Sequence, residues 1–264
     1  MGKVLAFVGV MLVSVALVGT ALANHSWGGY HWSRSANPLV LNVGDNVDSR
    51  WDAYLDGAIA DWSASTVLDL NKISGGTNPA SCGPTAGRIE VCNGSYGSTG
   101  WLGIAQIWLT SGSHITQATT KLNDTYFDTP AYNTPPWRRL VACQEIAHDF
   151  GLDHQDENFN NPNLGTCMDY TNDPDGGAGG ASSSDPSNEH PNQHDYAELV
   201  TIYSHLDGAG GGGGKPCHGR KCPNGFDGAP SLSQASKANG DVYVDHLPNG
   251  GRRLTHVFWA PLNS

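Results

Sequence analysis

An α+β domain is predicted by the order in which hydrophobic residues recur. Apolar positions return at helical spacing in three separate stretches, and between the first and second lie short apolar runs cut apart by Gly, Ser, Asn and Pro. Grouped strands flanked by helices read as one sheet packed by a few helices.

Residues 1–23 stand apart from that domain. Lys3 supplies a short positive region, residues 4–18 are almost wholly apolar, and Ala21-Leu22-Ala23 is a signal-peptidase pattern. The run is shorter than the roughly 20 residues a membrane span needs. The chain is therefore expected to be secreted, to begin near Asn24 once processed, and to keep no stable membrane insertion. Residues 38–43, with Leu39, Val40, Leu41 and Val43, predict a first strand. Trp51, Tyr54, Leu55, Ala58, Ile59 and Trp62 form one face of an amphipathic helix, with Asp48 or Ser49 as its cap. Short strands are predicted over 67–70, 88–92, 103–109 and 115–123. Pro135 and Pro136 suit the first turn of a second helix with Thr134 as N-cap. It is expected to run over 137–150, with Leu140, Cys143, Ala147 and Phe150 as its apolar stripe and Gln144 and His148 on a neighbouring face. Gly151 can take the positive φ that ends it.

Residues 172–192 are polar and read as a surface loop. Tyr196, Leu199, Val200, Tyr203 and Leu206 mark a last helix. A glycine run then predicts a linker over 208–216 and closes a main domain of 24–207. In the tail, 217–264, two runs at 241–246 and 252–259 flank Asn249-Gly250, a hairpin signal. The tail is too small to hold a large core alone, so it is expected to dock on the main domain.

A net charge of −11 offers phosphates no basic stripe and argues against a nucleic-acid partner. Six cysteines in an exported chain are expected to pair. The nearest-neighbour set joins Cys82 to Cys92, Cys143 to Cys167 and Cys217 to Cys222.

The chemistry is concentrated in Gln144-Glu145-Ile146-Ala147-His148-Asp149-Phe150-Gly151-Leu152-Asp153-His154. This is the zinc-protease pattern H-E-x-x-H-x-x-G-x-x-H with its first histidine replaced by Gln144. Downstream, Thr166-Cys167-Met168-Asp169-Tyr170 is similar to a Met-turn. With both motifs in this order, the chain resembles the metzincin clan of zinc metallopeptidases, of the matrixin and astacin kind. The resemblance implies a zincin catalytic domain: a twisted mixed sheet, an active-site helix, a Met-turn and a C-terminal helix. It implies a secreted, monomeric zinc endopeptidase acting on a protein or peptide.

His148 and His154 are the expected zinc ligands, and Glu145 the general base that activates the attacking water. By resemblance, Met168 lies beneath the histidines and Tyr170 reaches the zinc to steady the transition state. A Cys143–Cys167 bridge would staple the active-site helix to the Met-turn. Gln144 leaves three outcomes open. It ligates weakly through its amide oxygen; another group (Tyr170, Asp153, His190 or His194) replaces it; or the scaffold is an inactive secreted binding protein. The resemblance further implies that the 103–109 strand is an edge that pairs with extended substrate. Cys82-Gly83-Pro84 faintly echoes the matrixin cysteine switch, but it lies inside the predicted domain. Asp173 and Asp175 before Gly176-Gly177 could bind a structural Ca2+, but without a full loop motif they read first as a solvated loop.

Overall fold

The computed structural model describes residues 25–110, 112–177, 184–208 and 230–261. The predicted signal segment, the linker after Gly208 and the Cys217–Cys222 pair lie outside them.

The architecture is α+β, built on one mixed eight-stranded sheet. Its strands are β1 (His31–Trp32), β2 (Leu39–Asn46), β3 (Leu68–Ser74), β4 (Arg88–Gly94), β5 (Trp101–Leu109), β6 (His114–Asn123), β7 (Val242–His246) and β8 (Arg252–Trp259). The order across the sheet is β3-β2-β4-β6-β5-β8-β7, and β1 pairs with the start of β6. The β3-β2-β4-β6 part is parallel, whereas β5, β8 and β7 are antiparallel to their neighbours. The helices are α1 (Asp52–Ser63), a short α2 (Asp124–Phe127), α3 (Pro135–His148) and α4 (Gln193–Ile202). Helix α1 packs against α3 and β3, and α3 lies over β5 and β6. Trp51, Leu55 and Trp62 from α1 meet Leu140, Val141 and Phe150 in one continuous core. No helix among the described residues is long and apolar enough to cross a membrane.

Several sequence expectations shift. Neither Asp48 nor Ser49 caps α1; its N-cap is Trp51. The Asp48 carboxylate is drawn instead to the Arg50 and Asn93 side chains. Thr134 does cap α3 but makes no side-chain cap bond. With Pro136 at the second helical position, one of the N–H groups such a cap serves is missing. Helix α4 starts earlier than its apolar pattern suggested, at a capping box formed by Asn192 and Asp195. Val200 and Leu206 are exposed, while Asp195 and Glu198 share the buried face with Leu199 and Ile202. Asp195 turns inward because it accepts bonds from Thr166 Oγ1, Gln155 Nε2 and the Asn192 N–H, and meets His25 Nε2.

The largest correction concerns β5. The resemblance cast it as a free edge, but its outer side is fully paired with β8, from Trp101↔Trp259 to Leu109↔Arg252. The tail hairpin turns at Gly250, at φ 79°, as the Asn-Gly signal suggested, and lengthens the sheet by two strands.

Candidate metal centre

Helix α3 is anchored before it offers any chemistry. Cys143 and Cys167 form a disulfide, tying the helix to the segment that carries Met168. Trp62 Nε1 donates to the Cys143 carbonyl from the opposite side. The second bridge, Cys82–Cys92, holds the Cys-Gly-Pro segment against β4, so Cys82 is not a free switch thiol. Gly103 on β5 lets the helix come close, since a Cβ there would lie 2.6 Å from Glu145 Cγ. At the helix end Gly151 has φ 102°, and a Cβ would meet the Tyr30 carbonyl oxygen at 2.0 Å. That turn swings the chain back so that His154 faces His148.

His148 Nε2 and His154 Nε2 lie 3.1 Å apart, both rings buried. The third member of the cluster is His256 on β8, whose ring stacks on His148 with centroids 3.9 Å apart and planes 9° from parallel. One ligand atom from each of His148, His154 and His256 can be chosen within 4.8 Å of the others. Their partners assign the protons. His148 Nδ1–H donates to the Leu152 carbonyl at 2.8 Å, and His256 Nε2–H to Asp153 Oδ1 at 3.2 Å. His154 Nδ1 faces the Glu157 and Asp241 carboxylates at 3.5 and 3.6 Å. The free lone pairs are then His148 Nε2, His154 Nε2 and His256 Nδ1, and the last is buried without a hydrogen-bond partner. Closely grouped ring nitrogens, each ring's other nitrogen facing a carbonyl or carboxylate acceptor, are the pattern of imidazoles that can hold a cation. Three nitrogen donors suit zinc, so the residues fit the ion.

Tyr170, Asp153, His190 and His194 each have partners of their own, whereas Gln144 is held by its nitrogen alone. Gln144 Nε2 donates to the Cys167 carbonyl at 2.7 Å, leaving Oε1 buried and unpartnered. Asp153 serves as acceptor for His256 and for the His154 N–H. Tyr170 OH donates to Asp241 Oδ2 at 2.8 Å, with its ring 4.3 Å from that of His154. His190 pairs with Asp61, and His194 stacks on His25. Sequence reasoning missed His256 because nothing near it in the chain marks it; the one usable signal was the hairpin pattern around it.

Glu145, on the same helix as His148, packs against Gly103 of β5 with its Oε2 lacking a partner. Burial, assisted by the Asp149 and Asp241 charges, pushes its carboxyl well above the usual range, against a hydrogen bond from the Ala105 N–H. Burial, together with the neighbouring His256 and His154, pulls the His148 imidazole well below its ordinary value. Burial and Asp241 push the Tyr170 hydroxyl up. Met168 is fully buried, its N–H bonded to Thr166 Oγ1 and its carbonyl accepting from the Gln155 N–H. The calcium expectation finds no support, since the ion-capable groups among the described residues do not include Asp173 or Asp175. Burial and the neighbouring Asp175 push the Asp173 carboxyl up.

No protein-family model and no curated protein sequence matches the chain. Among solved structures it is similar to high choriolytic enzyme 1, a hatching enzyme zinc-protease from Oryzias latipes (Medaka fish). That match has 13% identity and a TM-score of 0.36, and covers 66% of this chain and 94% of the other. The chain is also similar to myroilysin, at 14% identity and a TM-score of 0.38, over 69% of this chain and 99% of that one.

Proposed function

We propose that the chain is a secreted zinc-dependent endopeptidase acting on a protein or peptide. One observation carries the reading: ligand atoms of His148, His154 and His256 gather within 4.8 Å of one another, and Glu145 lies on the same helix as His148. The 3.1 Å approach of His148 Nε2 to His154 Nε2 is satisfied either by a proton shared between them or by a cation among the rings. Zinc, when bound, supplies Lewis acidity and makes water a better nucleophile near neutral pH.

The rest of the chemistry falls to this chain's own groups. Glu145 takes a proton from the attacking water and passes it to the leaving amine, helped by a carboxyl whose affinity for protons burial has raised. Asp153 and the Leu152 carbonyl fix the orientation of His256 and His148. Met168 closes the floor, and Tyr170, once its hydroxyl is free of Asp241, supplies a donor to the developing oxyanion. Gln144 Oε1 is an acceptor without a partner on the face shared with His148, available as a weaker oxygen donor to the same ion.

The rival reading, an inactive binding protein on the same scaffold, is favoured by one feature: Glu145 is only 1% exposed. Zinc content and cleavage of an unfolded protein substrate, measured on one preparation of wild type and of Glu145→Gln, separate the two. Chelator-sensitive cleavage that the variant loses while keeping its zinc supports the endopeptidase. Protein without zinc would remove both metal and mechanism.

A further inference from the structure

A second group of ligand-capable side chains lies away from this centre, where β1, the start of β6 and the chain following α4 meet. His31 is buried, and its Nδ1–H donates to the Gly29 carbonyl at 2.9 Å. That bond leaves the lone pair on Nε2, which is buried with no partner. The His205 ring stands edge-on to the His31 ring at 4.9 Å, with Nε2 3.5 Å from Asp207 Oδ1. Asp207 is itself fixed: Oδ2 accepts the Arg34 N–H at 2.8 Å, and Oδ1 meets His114 Nε2 at 3.0 Å. Ligand atoms of His31, His205 and Asp207 all lie within 4.8 Å of one another.

We propose that His31, His205 and Asp207 form a second divalent-metal site, with His114 orienting the carboxylate. Two imidazoles and one carboxylate select a borderline transition ion such as Zn2+ over Ca2+ or Mg2+. The His31 tautomer, set by a backbone carbonyl, is the one a ligating imidazole needs. No glutamate base and no Met-turn accompany this group, so the site is structural. It ties the N-terminal segment to the chain leaving α4, alongside the Asp207 N–H bond to the Arg34 carbonyl. Because the His205 side chain is 45% exposed, His205→Ala leaves the core intact. The test counts zinc per chain by titrating metal-free protein, and follows the His31 ring nitrogens by NMR. Wild type should bind one zinc more than His205→Ala, and the His31 nitrogen signals should shift when that zinc binds. Equal zinc counts in the two proteins would overturn the site.

Discussion

Helix α3 and the C-terminal hairpin deliver histidines to one point by opposite means. On α3 the position of His148 follows from helical spacing, and Gly151 brings His154 back within a single turn. On the hairpin, His256 reaches the cluster only because β8 pairs with β5 opposite Ala105. The first arrangement is local and survives in the sequence as a motif. The second depends on the docking of a segment that follows the main domain in the chain. Tertiary pairing thus sets a third histidine beside the two that the local motif supplies.

The comparison is broken most severely by removing the base that α3 contributes. On the proposed function Glu145 moves protons and binds no metal, so Glu145→Gln should lower peptide hydrolysis by ~10²–10⁴-fold with zinc content unchanged. An unchanged rate would take α3's carboxylate out of the chemistry. Next in size is Phe258→Ala, which empties a buried aromatic site between Phe159 and Tyr170. It should cost the hairpin's docking about 3 kcal/mol, read as amide exchange confined to β5, β7 and β8. Exchange rising equally across α3 would mean that the two regions unfold as one unit.

Replacing both Cys143 and Cys167 by Ala opens a loop of sequence separation 24. Stability should fall by about 3 kcal/mol in the chain-entropy model, measured by denaturant unfolding under non-reducing conditions. The smallest effect sharpens the comparison most. Gln144→His should change zinc affinity less than ~10-fold while His256 is present, because the third imidazole is already supplied. In a His256→Ala background the same change should restore most of the lost affinity. A large gain in the otherwise wild-type chain would show that His256 stands outside the ligand set.

The strands expected over 88–92 and 115–123, the helix over α3 and the hairpin turn at Gly250 were legible because each rests on local periodicity or turn chemistry. That His148 and His154 would meet was legible for the same reason, through spacing along one helix and one turn. The α1 cap was not, because Arg50 and Asn93 compete for the Asp48 carboxylate. The inward Asp195 was hidden because its buried acceptors are satisfied by partners far along the chain. The role of β5 was misjudged because an edge strand and a strand paired to a distant hairpin have the same alternation. His256 lay in a readable hairpin, but its register against β5 is a tertiary fact.

The central claim is that His256 completes the metal centre, and a chelator-competition titration of zinc on wild type and His256→Ala tests it most directly. Loss of an outer-shell partner alone weakens metal affinity by ~10–100-fold, so loss of a ligand should weaken this site by ~100-fold or more with the fold intact by circular dichroism. Equal affinity in the two proteins would contradict the account and return the third position to Gln144.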